Sequence, residues 1–342
     1  MSVNPKWYGV GEDYKVMMKD APLATALERW NIEIPKMKKW GFNTVRLSFR
    51  FPPSGTTHSV IIHDELDAVL QLLSQNGFKA ILCLQNWKDM HGFFGSPEWT
   101  QNWIDLANRF KGDTRIRAYE LFNEPGQETW HSSVDGGGAG VGHGEGVMTA
   151  LAECVDAIRA TGDNHTIVYP DPWFIRPTET AVFHPETIPS ALKRPNIVVG
   201  FHLWQGDPNI FSVDYHLRQR GQAWVNAGWN IYVGEMGVFY NRPWDEQKQW
   251  CIDVINYMME HGGGFNYWMH GYQSREQAWQ FYNEILEASN YLPPTPTPPV
   301  EPFFPRIREV LYGFPRIAEI YHRVDNIKPK REEVVIKEGV KW

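Results

Sequence analysis

One punctuation recurs along the chain and limits its fold more than any other feature. A helical pattern ends in Gly, a short link follows, and an apolar strand begins. It appears at Gly41 before Thr44–Phe49, at Gly77 before Ala80–Leu84 and at Gly162 before Thr166–Tyr169. It recurs at Gly228 before Ile231–Gly234 and at Gly262 before Phe265–Trp268. Glycine is favoured just past a helix because it takes a left-handed backbone without a Cβ penalty. Three more strands fit between these, Trp7–Val10, Arg117–Phe122 and Ile197–Phe201. All are short, apolar and rich in β-branched residues, as strands buried on both faces should be. The eight starts are spaced about 31 to 49 residues apart, which suits a strand–helix repeat. Residues 1–290 are therefore expected to form a (β/α)8 TIM barrel, with its active site at the C-terminal ends of the strands. A doubly wound open sheet would ordinarily carry a Gly-rich phosphate loop after its first strand, and the sequence has none there.

From residue 291 the composition changes. Pro293-Pro294-Thr295-Pro296-Thr297-Pro298-Pro299 is an extended, semi-rigid segment. After it come two similar tetrapeptides, Phe304-Pro305-Arg306-Ile307 and Phe314-Pro315-Arg316-Ile317. Residues 291–342 are too short for an ordinary second domain. They are read as a proline-rich C-terminal tail packed along the barrel.

Charge and composition narrow the partners. A net charge of −7 argues against nucleic acid and anionic membranes, which are bound through positive fields. No uninterrupted apolar run approaches the roughly 18 residues of a membrane span. The N-terminus shows no charged-then-apolar signal segment, which fits a cytoplasmic protein or, the favoured reading, a secreted one whose signal has been removed. Cys83, Cys154 and Cys251 make no disulfide framework and read as packed thiols. The 12 histidines show no HExxH or other metal-ligand spacing, so neither metal nor cofactor is expected. A monomer acting on a polysaccharide or oligosaccharide is the expected form.

Two glutamates stand at the ends of buried strands. Glu124 follows Leu121-Phe122-Asn123 and precedes Pro125; Glu235 follows Val233-Gly234 and precedes Met236-Gly237. Paired carboxylates across a cleft are the machinery of glycoside hydrolysis. Asn-Glu-Pro closing strand four and Gly-Glu-Met-Gly closing strand seven resemble glycoside hydrolase family 5. The resemblance covers residues 5 to 290. Gly41-Phe42-Asn43-Thr44-Val45-Arg46 resembles the family's second strand with its active-site arginine. Phe201-His202-Leu203-Trp204 resembles its sixth strand with an active-site histidine, and Asn266-Tyr267-Trp268 its eighth with a sugar-stacking tryptophan. Strand three reads Leu84-Gln85-Asn86-Trp87, where the family usually carries His, and is closer to the Asn-Trp of some mannan-cleaving members. Trp204 stands where many members place a tyrosine.

The resemblance implies a role for each residue. Glu124 would be the general acid/base and Glu235 the nucleophile. Arg46 would hold Glu235 ionised through a charge-assisted hydrogen bond. Asn123 would donate to a sugar 2-hydroxyl, with Gln85, Asn86 and His202 around it. Trp87, Trp130, Trp173, Trp204, Trp244 and Trp268 all fall at or just after strand ends, where flat rings can bury the C–H faces of equatorial sugars. Each of these rings could equally be core, and Trp268 is the favoured stacking residue. The Gly-rich stretch Asp135–Gly144 fits no nucleotide-binding spacing and reads as a loop beside the acid/base. His91 and His143 are read as loop residues that could approach the cleft. No Gly-x-Ser-x-Gly elbow occurs, which disfavours a serine hydrolase. The expected activity is a retaining, endo-acting β-1,4-glucanase of cellulase type. An endo-β-mannanase is the nearest alternative, and a non-catalytic carbohydrate-binding barrel is the alternative outside enzymes.

Overall fold

A computed structural model describes residues 6–15, 21–51, 59–85, 93–123, 143–170, 190–205, 221–238, 243–261, 263–268 and 274–293, together with 213, 217 and 218. All belong to the compact unit Met1–Thr295. The proline-rich tail, from residue 294 onward, lies outside the described residues.

Eight parallel strands close into a barrel in chain order. They are β1 (Tyr8–Asp13), β2 (Thr44–Phe49), β3 (Lys79–Leu84), β4 (Ile116–Glu120), β5 (Thr166–Pro170), β6 (Ile197–Gln205), β7 (Asn230–Val238) and β8 (Phe265–Trp268). The helices between and after them are α1 (Leu23–Lys39), α2 (His63–Gln75), α3 (Pro97–Phe110), α4 (His143–Ala160), α5 (Gln222–Asn226), α6 (Trp244–Glu260) and α7 (Arg275–Ala288). Between β5 and β6 the described chain holds only a 3-10 turn, Ser190–Leu192. The glycine punctuation does what the sequence suggested. Gly41, Gly77, Gly162 and Gly228 take φ of 63°, 87°, 85° and 84° at helix ends, and Gly262 lies outside the described residues.

Burial separates into an outer shell between helices and sheet and a smaller cluster inside the barrel. The inner cluster is Trp7, Ile81, Ala118, Val168, Val198 and Tyr232. Trp30, Trp99, Trp103 and Trp224 are among the largest fully buried side chains of the outer shell. Each such ring removes roughly 150–250 Å² from water, a gross gain of about 4–6 kcal/mol. Much of the tryptophan content is thus helix-on-sheet packing. Tyr291 also belongs to the barrel: its hydroxyl donates to Trp40 O at 2.8 Å and its ring meets Tyr8, Phe42 and Phe265.

Two strands carry one residue more than their neighbours. Along β3 and β4, Ala80 pairs with Ile116 but Ile81 pairs with Ala118, so Arg117 is extra. Along β6 and β7, Phe201 pairs with Val233 but His202 pairs with Glu235, so Gly234 is extra. The β7–β8 register slips at the same place. An extra residue re-aims the side chains that follow it. On β7, Tyr232 lies in the inner cluster and Val233 in the outer, and Met236 is again in the outer. Plain alternation would put Glu235 outside with Val233; the bulge turns it inward. The bulge at Arg117 likewise sets Ala118 and Glu120 inward while Ile116, on the far side of it, packs in the outer core.

Strand β4 ends at Glu120, two residues before the expected Phe122. The Leu121 carbonyl leaves the ladder because Trp99 Nε1 and Trp103 Nε1 donate to it, at 3.3 and 3.1 Å. Among the described residues no helix is long and apolar enough to cross a membrane.

Candidate active site

The site is built around one guanidinium. Arg46 points inward from β2 and is fully buried. A buried cation must be paired, because desolvation alone would be prohibitive. Its Nε donates to Glu120 Oε2 at 2.6 Å and its Nη2 to Glu120 Oε1 at 2.6 Å. On the other side Nη1 donates to Glu235 Oε1, also at 2.6 Å. Nη2 further approaches Asn123 Oδ1 at 2.7 Å and Cys83 Sγ at 2.9 Å. Glu120 and Glu235 are themselves 1% and 2% exposed. One cation therefore joins two buried carboxylates from opposite sides of the barrel mouth.

Electrostatics follow from this packing. Burial raises the Glu120 carboxyl, but the charge and hydrogen bonds of Arg46, with a smaller contribution from His202, outweigh it and bring it down to about 2. Burial also opposes the Arg46 charge; the two carboxylates more than offset that and hold it charged. Cys83 is pushed well up by burial and stays a neutral thiol.

His202 lies between the carboxylates. Its Nε2 is 3.4 Å from Glu120 Oε1 and 3.3 Å from Arg46 Nη2, and its Nδ1 is 3.6 Å from Glu235 Oε2. The β7 bulge sets His202 opposite Glu235, and Gly234 leaves room for the imidazole. A Cβ on Gly234 would sit 3.2 Å from His202 Nε2. Asn123 is held after β4 by its backbone N–H, which donates to Leu84 O at 2.8 Å. Its Oδ1 is taken by Arg46, and its buried Nδ2 has no partner among the described residues. Trp268 stands beside Arg46: Gly11 pairs with both across the sheet, and the guanidinium carbon lies 5.7 Å from the indole centre. A Cβ on Gly11 would come within 2.8 Å of the Trp268 ring, so the missing side chain lets the indole lie there.

Five of the expected site residues thus meet at the C-terminal mouth: Arg46, Asn123, His202, Glu235 and Trp268. Asn86, Trp87 and Glu124 lie outside the described residues, as do His91, Trp130, Trp173 and the Gly-rich stretch. The backbone of Trp204 continues β6, but its side chain is outside the description. Trp244 is helix packing instead. It opens α6, its Nε1 donates to Glu284 at 3.3 Å and its ring meets Phe281 edge-on, because the α6–α7 contact needs a large apolar side chain there. Two members of the site went unrecognised in the sequence. Glu120 was hidden beside the more conspicuous Asn-Glu-Pro, and Cys83 was read as a thiol in apolar packing, although it faces the guanidinium. The signal that could have found Glu120 is a charge in a strand buried on both faces, which is rare without a partner. Gln85 is also present, accepting from Ser48 Oγ at 3.1 Å.

An eight-stranded parallel barrel with buried carboxylates on a shared arginine at the C-terminal ends of its strands has the make-up of a (β/α)8-barrel enzyme. The family model for cellulase (glycosyl hydrolase family 5) matches residues 24–274, well over half of the chain, and the chain belongs to that family. It is a glycoside hydrolase. Among solved structures it resembles a cellulase–inhibitor complex, at 18% identity and a TM-score of 0.61 over 83% of this chain and 92% of that one. It also resembles a broad-specificity endoglucanase from Clostridium acetobutylicum, at 18% identity and 0.57 over 82% and 95%. A third is the cellulose synthase subunit Z of Clostridioides difficile, at 20% identity and 0.55 over 77% and 91%. At these identities the likeness is one of fold. No curated protein matches the sequence.

Proposed function

We propose that the protein is a retaining, endo-acting β-1,4-glucanase. The observation that carries this reading is the Glu235 carboxylate, buried at the barrel mouth and held by Arg46 at 2.6 Å. A carboxylate hydrogen-bonded to a fixed guanidinium through one oxygen is suited to attack an anomeric carbon with the other. In the first step Glu235 forms a bond to that carbon as the glycosidic C–O bond breaks, and Glu124 gives its proton to the leaving oxygen. In the second, Glu124 takes a proton from water, whose oxygen displaces Glu235. The Asn123 amide N–H, which has no partner among the described residues, is available to a sugar 2-hydroxyl, and Trp268 offers a ring beside the nucleophile.

Reducing-sugar release from carboxymethyl cellulose, glucomannan, galactomannan, xyloglucan and xylan tests the substrate. At least roughly tenfold higher kcat/KM on β-1,4-glucan than on β-1,4-mannan is expected, about 1.4 kcal/mol of discrimination at the 2-hydroxyl. A strong mannan preference would make it a mannanase, and no release from any of them would leave a binding barrel. The roles are tested by Glu235→Gln, expected to stop turnover of every substrate, and Glu124→Gln, expected to recover partly on substrates with a good leaving group. Equal losses in both, whatever the leaving group, would contradict the assignment.

A further inference from the structure

Glu120 has no part in the reaction as just described, yet it makes more hydrogen bonds to Arg46 than Glu235 does. It takes the whole Nε/Nη2 edge of the guanidinium and leaves Glu235 a single bond from Nη1. The bidentate edge is the strongest and most directional way to hold an arginine. It is assigned here to a carboxylate that does no chemistry.

Charge bookkeeping suggests why. Arg46 carries +1 and Glu120 −1, and a nucleophilic Glu235 must begin the reaction as a second anion. When the glycosyl ester forms, Glu235 becomes neutral while Arg46 stays charged and fully buried. With Glu235 as its only counter-ion, the cation would be stranded in a dry site at the moment the intermediate forms, and an uncompensated buried charge is strongly unfavourable.

We infer that Glu120 is a positioning residue for glycoside cleavage: it is the permanent counter-ion of Arg46, fixing the guanidinium and keeping it neutralised while Glu235 gives up its charge to the sugar and regains it. The inference rests on Glu235 being the nucleophile. The groups facing Glu120 and its cation are Arg46 from β2, Cys83 from β3, His202 from β6, and Tyr232 and Glu235 from β7. The Cys83 thiol and the Tyr232 phenol are raised by burial and stay neutral. Glu120, held to about 2, keeps its charge throughout the working range.

The inference predicts opposite effects on the two half-reactions. In Glu120→Gln, forming the glycosyl ester strands the cation, so glycosylation slows; releasing the sugar restores the Glu235 charge, so deglycosylation does not slow. Both are read with one reagent on the full chain: a 2-deoxy-2-fluoro bioside bearing dinitrophenolate, of the gluco or manno series selected by the polysaccharide panel. Its inactivation rate reports glycosylation, its reactivation rate reports release, and peptide mass mapping locates the label. Inactivation of Glu120→Gln should be slower by about tenfold or more, the scale on which loss of preorganised charge is felt. Reactivation should match or exceed that of the unaltered protein. Glu120→Asp, which keeps the charge, should recover most of the inactivation rate. Equal slowing of both half-reactions, unchanged inactivation in Glu120→Gln, or no recovery in Glu120→Asp would overturn the inference while a label on Glu235 still stood. A label elsewhere, or none, would overturn the nucleophile and this inference together. If Glu120→Gln does not fold, Glu120→Asp decides alone. A ratio of trapping to release within about threefold of the unaltered protein is expected, and a tenfold fall in it, about 1.4 kcal/mol, refutes the idea.

Discussion

Replacing Arg46 by Met should invert the pH dependence of stability. In the native site Glu120 titrates at about 2 instead of its ordinary 4.5. A carboxyl lowered by folding contributes stability that is present above its unfolded value and lost as pH falls through its folded one. Here that contribution is roughly 3 kcal/mol, lost as pH drops from about 4.5 toward 2. Met fills much of the volume but supplies no donor. Two carboxylates, 1% and 2% exposed, then share a pocket without a cation. Breaking a buried pair from one side typically costs about 3–5 kcal/mol at neutral pH, and the site can relieve this by binding a proton. A carboxyl raised by folding has the opposite linkage, so the variant should gain stability relative to the native protein as pH falls from 7 toward 4.5, a range in which the native Glu120 does not titrate. Urea unfolding followed by tryptophan fluorescence at pH 4.5, 5.5 and 7 measures this directly. The expected result is a deficit largest at pH 7 and shrinking toward pH 4.5. A deficit of the same size at all three would show that Arg46 matters for packing alone and refute the charge argument.

Three further outcomes are expected. Gly234→Ala places a Cβ 3.2 Å from His202 Nε2, and should lower kcat/KM on the preferred polysaccharide by about tenfold through a displaced imidazole; unchanged kinetics would mean that His202 is not held by this contact. At the opposite end of the barrel, His165 sits with Nδ1 2.9 Å from Asp163 Oδ2 and Nε2 2.9 Å from Asp113 O. Burial lowers its pKa, but these hydrogen bonds and the Asp163 charge raise it overall, so its stabilisation is complete below the ordinary 6.5 and fades as pH rises through the folded value. His165→Gln should therefore cost about 1–3 kcal/mol at pH 5.5 and clearly less at pH 9 in urea melts, and equal costs would contradict the imidazolium. Finally, Cys83, Cys154 and Cys251 are all buried and their thiols are raised by burial, so a disulfide dye should find no thiol in the native protein and all three in denaturant.

The strands were legible because their signals are local. A glycine that permits φ near 85° marks the end of a helix whatever lies around it, and the apolar run that follows can only be a buried strand. Glu235 was legible as a carboxylate closing such a run, and Arg46 and His202 through the family resemblance of the strands that carry them. The rest depended on backbone geometry that no residue type announces. Nothing in Ala118-Tyr119-Glu120 says that Arg117 is the extra residue, so the inward aim of Glu120, and with it the second partner of Arg46, stayed hidden. The tryptophans misled in a different way. A ring after a strand end can line the mouth or bridge two helices, as Trp244 does, and only the neighbouring helix decides which.

The extra residue in β7 makes the placement of Glu235 a matter of counting. If Gly234 were kept and paired like any other residue, β7 would be regular and every residue after it would slip one place along β6 and β8. That slip would turn the Glu235 carboxylate through half a revolution, away from Arg46 and into the layer where Val233 meets the helices. A regular β7 that retains all of these residues is therefore one that cannot work. A β7 segment grafted into another barrel would have to carry its irregularity with it, because the correct residue in a regular strand would face the wrong way.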